Sequence, residues 1–488
     1  MDIARPILRQ WLTHPLRTFV VDDIRSWKGL MLWLASQHVA KAVSNVSSRE
    51  RVGIYLPTSG ATPAAMAASW LLGRTVVPLN YLLSRDELDY IIKDAELDVI
   101  VTAGPMLKRF GDLPGDAHVI RMEELPMKRI PRIHRIKSRP SDFTAVLLYT
   151  SGTSGRPKGV MLTNENLVTN VAQCTRWARF SRSNGFLGVL PQFHSFGMTV
   201  TTLLPMTLGC RVSYTAQFKV SRVLELLRTQ RPTAFMAIPS MYNALLQAKS
   251  ATAEDFRSLR YVVSGGEPLP DAVYEGFKER FNVTICEGYG LTETSPVTNW
   301  TLPEEERRGT VGRPLDGVEE IIVDEEENRL GPGEDGEVRI RGKNIMAGYF
   351  KLPEATSAAF DDNGFFRTGD MGRIDEDGFL SITGRIKEML IISGENVFPR
   401  EIEEVLNRHP SVSAGAVVGQ QDPARGEVPI AFVELVEGAE FDPQECRTFC
   451  RKTLAPFKVP REIHVLESLP RNPTGKIMRR ELMQEVAR

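Results

Sequence analysis

Apolar and polar positions alternate with two different periods along the first 140 residues. Short apolar runs at 52–56, 75–78 and 99–102 read as buried strands. Between them, the Ala-rich stretch 64–72 and the segment 85–94 read as helices. This strand–helix alternation predicts a parallel sheet covered by helices. The same rhythm resumes from Phe143 to about Trp300, with strands expected at 186–191, 211–214, 233–238 and 259–263 and helices at 221–229 and 271–280. After about Gly309 the texture changes. Short strands at 319–323 and 336–341 flank a turn-rich LGPGEDGE segment, which predicts a small antiparallel sheet or barrel. Beyond Gly384-Arg385 comes a compact α+β unit, with a helix at 401–407, strands at 413–418 and 430–435, and a helix opened by Asp442-Pro443. The expected domains are 1–384 and 385–488, with the boundary at Arg385 to Lys387.

Composition narrows this picture only slightly. A chain of 488 residues predicts two to four domains and an ample core. Hydrophobic content of 42% and charged content of 25% are those of an ordinary soluble protein, and a net charge of −1 gives no footprint for nucleic acid. Five scattered cysteines suggest reduced thiols and a cytoplasmic setting. Cys446 and Cys450 stand four apart on an expected helix face, without the second ligand pair a metal site needs. The first 15 residues lack the apolar core of a signal peptide, and the 64–72 run is too short to span a bilayer.

One stretch interrupts the α/β rhythm. Met127–Pro140 carries six Lys and Arg, no acids, and Ile130, Ile133 and Ile136 between them. It reads either as a solvated connector or as a patch for an anionic membrane surface or an acidic carrier protein.

Chemistry concentrates in five motifs. The apolar run 145–149 leads into Thr150-Ser151-Gly152-Thr153-Ser154-Gly155-Arg156-Pro157-Lys158-Gly159, and a helix capped by Thr163 or Asn164 is expected next. Glycines, hydroxyls and two cations in such a loop make a polyphosphate cradle, though not a Walker A sequence. In the second motif, Glu287 to Thr294, a strand at 283–286 is expected to precede Tyr289, which offers a flat face for a purine. Glu293 there is a natural Mg2+ carboxylate, and Thr292 a donor to phosphate oxygen. The remaining three are the turn Ser264 to Leu269, the segment Phe366 to Asp370 with Gly384-Arg385, and Pro473-Thr474-Gly475-Lys476.

Taken in this order, the five motifs resemble those of the adenylate-forming, AMP-binding superfamily, and most of all its acyl-CoA synthetases. The resemblance implies a large N-terminal domain of two α/β sheet subdomains plus a small β-barrel, and a mobile α+β C-terminal domain that swings about a hinge at Lys387. It implies that Thr150, Ser151, Gly152, Thr153, Ser154, Gly155 and Lys158 grip the phosphates of ATP. Gly265, Gly266, Glu267, Glu287, Gly288, Tyr289 and Gly290 would line the adenine and acyl sites, with Asp370 and Arg385 near the ribose. Thr153 and Glu293 would hold Mg2+. The expected catalytic residues are Lys476, Thr292, Glu293 and His194, and Gly394 would face the site after the domain swings.

The reaction implied is carboxylate activation by ATP, then transfer of the acyl group to CoA. His194 stands where amino-acid-activating relatives carry an Asp, and Gly290 where acetate-dedicated relatives carry a blocking Trp. The expected acyl pocket holds Phe196, Met198, Ile238, Met241, Ser264 and Val297 without an evident Arg or Lys, which favours a medium- or long-chain fatty acid. The stretch Phe193 to Thr199 also resembles acyl–acyl-carrier-protein synthetases, so a carrier-protein thiol stays open as acceptor. A luciferase-like oxygenase and a catalytically silent AMP-binding module are the remaining readings. The presence of Lys158, Glu293, Asp370, Arg385 and Lys476 counts against the silent module.

Overall fold

The structure, a computed structural model, describes residues 2–127, 129–151, 156–422, 425–471 and 477–486. Among these, the chain forms four sheets. The eight-stranded sheet has six parallel strands: Cys286–Gly290, Tyr261–Ser264, Ala234–Ala237, Gly185–Gly188, Arg211–Tyr214 and Thr18–Val21. Val297–Trp300 and Ser26–Lys28 close its two edges antiparallel. The seven-stranded sheet has a parallel half and an antiparallel half. Thr75–Pro78, Arg51–Tyr55, Val99–Thr102 and His118–Arg121 run parallel with Thr144–Ser151. Pro157–Thr163 and then Gly348–Tyr349 extend it in antiparallel pairing. Four antiparallel strands, Val318–Val323, Gly336–Gly342, Phe366–Ile374 and Leu380–Arg385, make the small third sheet. The fourth sheet lies wholly in residues 390–466.

Four hydrophobic clusters among the described residues follow this division, two in each part. The largest runs from Ile3 to Leu380 and joins the first three sheets, whereas Leu390, Ile402, Leu406, Cys446 and Cys450 belong to a separate cluster of the C-terminal unit. Residues 384–389 lie between the clusters of the two parts. The Ala-rich helix Ala61–Leu71 is buried on every face, as its unbroken apolar run predicts. Among the described residues no helix is long and apolar enough to cross a membrane.

Two local expectations are corrected. The 150–159 loop does not lead directly into a helix. It is the tip of a hairpin, because Pro157–Thr163 returns alongside Thr144–Ser151 with Thr150 opposite Lys158. The apolar Val160 and Leu162 are buried in that pairing, and Gly159 permits it: a Cβ there would lie 2.9 Å from Leu147. The helix Asn164–Trp177 starts only afterwards, at a capping box in which Thr163 Oγ1 accepts from Asn166 N and Asn166 Oδ1 accepts from Thr163 N. The second correction concerns Cys286–Gly290, which is itself the strand in place of the expected 283–286. Its last residues pair with Val297–Trp300.

The described residues of the basic stretch 127–140 form neither helix nor strand, and they dock on the helix Gly29–Val46. Gln37 accepts from His134 N at 2.7 Å and donates to His134 O at 3.3 Å, and His38 Nε2 bonds Arg129 O at 2.9 Å.

Candidate active site

Ligands of open parallel sheets sit beyond the carboxyl ends of the strands. Here Leu190 and Pro191, Ile238, and Gly265 and Gly266 follow three adjacent parallel strands of the eight-stranded sheet, and all of them line one cavity of about 620 Å³. The hairpin of the seven-stranded sheet adds Thr150 and Lys158, and the four-stranded antiparallel sheet adds Arg367, Thr368 and Arg385.

The side of the cavity next to the hairpin is built by three chain segments. Tyr349 OH donates to Glu293 Oε1 at 2.9 Å, and Lys158 Nζ lies 5.1 Å from the centre of the Tyr349 ring. Met346 N donates to Glu293 O at 2.7 Å, which anchors the turn that carries Glu293. Burial, with the Glu293 carboxylate beside it, pushes the Tyr349 phenol well above its usual range, so it stays a donor. Sequence reasoning missed Tyr349. Its only signal was an aromatic after a glycine, and its place follows from the pairing of Tyr349 with Val160. Thr292 is buried, with its Oγ1 3.0 Å from Ser195 Oγ. His194 caps the short helix Ser195–Met198 by accepting from Phe196 N at Nδ1, 3.3 Å away. A ring that accepts at Nδ1 carries its proton on Nε2 when neutral.

On the nucleotide side, Tyr289 OH donates to Asp370 Oδ2 at 2.6 Å and Arg385 Nε lies 2.9 Å from Asp370 Oδ1. Asp370 is 2% exposed. Burial first, and then Asp370, raise the Tyr289 phenol well above its usual range. Lys387 also lines the cavity, and burial together with neighbouring Arg385 lowers its pKa. Glu287 is placed differently. Its carboxylate is buried against Arg308 and the amide of Leu269, so it ties the Cys286–Gly290 strand to the 265–269 turn.

The apolar wall holds Phe196, Ile238 and Val297 as expected, but Met198, Met241 and Ser264 do not line the cavity. Val200, Met236, Val263 and Trp300 do. The last three come from one face of the eight-stranded sheet, Met236 and Val263 on neighbouring strands and Trp300 two strands from Val263, a proximity that depends on strand order.

Gly290 needs a second explanation besides pocket space. A Cβ there would lie 1.8 Å from Pro296 O, so the backbone itself demands glycine. At Gly288 an added Cβ meets nothing closer than 3.4 Å. The fold therefore leaves room for a side chain at Gly288.

An adjoining cavity of about 510 Å³ shares Gly266, Glu267, Tyr289 and Arg385 with the first and continues to Asp370, Arg471, Ile477 and Arg479. Arg471 and Ile477, on either side of 472–476, form a bridge with each other and line this adjoining cavity. Lys476 itself lies outside the described residues, as do Gly152, Thr153, Ser154, Gly155 and the Ser151 side chain. Gly394 is not brought to the site. It occupies an exposed turn between Leu390–Ile392 and Glu395–Val397.

Residues 7–350 match the AMP-binding enzyme family, and residues 401–476 match the AMP-binding enzyme C-terminal domain. The chain belongs to the AMP-binding enzyme family. A long-chain-fatty-acid–CoA ligase of Bacillus subtilis is 32% identical over 484 residues, covering 89% of this chain and 85% of its own. A sulfoacetate–CoA ligase of Cupriavidus necator is 33% identical over 456 residues, covering 91% and 89%. ATP-bound MatB from Rhodopseudomonas palustris has a TM-score of 0.91 at 28% identity, covering 99% of each chain, whereas its apo structure scores 0.80. This AMP-binding enzyme is an adenylate-forming acid–thiol ligase.

Proposed function

We propose that the enzyme activates a neutral, mostly apolar carboxylic acid, a medium- or long-chain fatty acid, with ATP and passes the acyl group to CoA. The observation that carries this reading is how charge is divided along the cavity. Among the described residues its lining cations, Lys158, Arg367, Arg385 and Lys387, come from the phosphate hairpin, the four-stranded sheet and the hinge. None comes from the 190–200, 236–238 or 296–300 segments that supply the apolar wall. An acid with a second anion, as in the sulfoacetate ligase, would meet no counter-charge there.

The chemistry follows from this arrangement. The substrate carboxylate attacks the α-phosphorus of ATP and pyrophosphate leaves. Lys158 and the hairpin hold the departing phosphates, while Tyr289, Asp370 and Arg385 hold the adenosine. Lys476, from the C-terminal domain, neutralises charge on the carboxylate and α-phosphate. Most of the catalysis is positioning and charge stabilisation. Among the described residues no group of three or more His, Cys, Asp and Glu converges on a point. That fits Mg2+ held by one carboxylate, Glu293, together with phosphate oxygens, where it would neutralise developing charge. The thiolate of CoA then attacks the acyl carbonyl and AMP leaves. Between the two steps the C-terminal domain, from residue 385 onward, turns about Lys387, withdraws Lys476 and brings in Gly394.

A pyrophosphate-release screen across carboxylic acids tests the reading, followed by CoA against an acyl carrier protein as acceptor. Release should be fastest with neutral acids of medium or long chain, and CoA should complete the reaction. Fastest release with dicarboxylic or amino acids would remove the fatty-acid assignment.

A further inference from the structure

A chain of four charged side chains connects the C-terminal unit to the nucleotide site. Arg408 follows the helix Pro399–Asn407, and its Nη2 lies 2.5 Å from Asp271 Oδ2. Asp271 is the first residue of the helix Asp271–Phe281, and its Oδ1 lies 2.6 Å from Arg308 Nη2. Arg308 donates onward to Glu287 Oε1 and to Leu269 O, while Leu269 N donates to Glu287 Oε2 at 3.4 Å. Arg308 thus closes a ring that joins the 265–269 turn to the strand carrying Tyr289.

The ring is costly to disturb. Glu287 is 8% exposed, and a buried carboxylate without its partner is strongly unfavourable. Burial works to raise the pKa of Asp271, but Arg408 and Arg308 override it, so this acid stays charged and lies below its usual range. Neither Asp271 nor Arg308 belongs to any of the five motifs.

We propose that Arg408, Asp271 and Arg308 are positioning residues that couple the place of the C-terminal unit to the adenine-side turn and favour the arrangement used for adenylation. The inference rests on the two-step reading above. Asp271, Arg308 and Glu287 lie in one unit and stay together when the other turns. The Arg408–Asp271 pair spans the two units, as does the Arg400 bond to Ile382 O, and is a link that rotation breaks. It forms in the arrangement that turns Arg471 and Ile477 toward the nucleotide cavity. Arg408 is half exposed, so its pair with Asp271 is worth a few-fold, roughly two- to five-fold.

The test uses the full-length enzyme and separates the half-reactions. ATP–pyrophosphate exchange reports adenylation, and thioester formation from supplied acyl-adenylate reports the second step. Arg408→Ala should slow exchange roughly two- to five-fold, and Arg408→Glu more, because a second acid then faces Asp271. Thioester formation should be unchanged or faster, and Arg408→Lys should restore exchange. Equal loss in both half-reactions, or no change in either, overturns the proposal. A wild-type enzyme that releases no pyrophosphate with any carboxylic acid would instead overturn the two-step reading itself.

Discussion

The Tyr289 hydroxyl donates to Asp370 Oδ2 across 2.6 Å and so joins two motifs that lie 81 residues apart. Arg385 takes the other carboxylate oxygen. Asp370 is therefore oriented by protein alone, and under the proposed function this would lower the ordering cost of binding a nucleotide.

Replacing Tyr289 by Phe keeps the aromatic face and removes the hydrogen bond. Bonds to charged groups contribute about 1.5–3 kcal/mol, so KM for ATP should rise roughly ten-fold or more. Steady-state pyrophosphate release at varied ATP checks this. An unchanged KM would mean that Arg385 alone orients Asp370.

Tyr349→Phe releases Glu293 Oε1 from its donor while leaving the ring beside Lys158. Adenylation should slow several-fold and need more Mg2+ for half-maximal rate, since the carboxylate is no longer held in place. A Mg2+ titration of pyrophosphate release reads this directly.

Gly288→Ala and Gly290→Ala should behave oppositely. The first adds a methyl in ordinary contact distance, so it should melt like the wild type yet bind bulky acids more weakly. The second drives a methyl into Pro296 O and should destabilise the protein by about 1–3 kcal/mol or more. Melting curves and a chain-length series separate the two.

Lys476→Ala should slow adenylation by roughly 100- to 1,000-fold, as loss of one oxyanion stabiliser does, with far less effect on thioester formation from supplied acyl-adenylate. Single-turnover measurements of each half-reaction decide it.

Glu320 gives a pH-dependent expectation away from the site. It is buried on the strand Val318–Val323, with Oε2 accepting from Asn299 Nδ2 at 3.0 Å. Burial pushes its pKa from 4.5 up to about 7. A carboxyl raised on folding favours the native state while it is protonated. That contribution is complete below about 4.5 and is lost as pH rises to about 7. Glu320→Gln should match the wild type near the lower limit and exceed it by up to about 3 kcal/mol at pH 8. Urea unfolding at both pH values checks the sign.

The sequence by itself determined what is local. The helix Arg85–Asp94 and the strands Thr75–Pro78 and Val99–Thr102 lie where the periodicity places them. An apolar run or a capping box such as Ser84 with Glu87 acts within a few residues. The motifs likewise announce nucleotide chemistry, since glycines, hydroxyls and cations advertise a phosphate site wherever they cluster.

Tertiary structure decided the rest. The phosphate loop proved to be a hairpin because Pro157–Thr163 found its partner in Thr144–Ser151, and the apolar run 160–162 could not announce that pairing. Tyr349 stands beside Glu293 through strand pairing, and Trp300 and Val263 reach one cavity wall from two strands separated by Cys286–Gly290. Arg308 reaches Glu287 and Asp271 from an otherwise unremarked polar segment. Contacts between residues tens of positions apart depend on strand order and register, which periodicity within one segment does not encode.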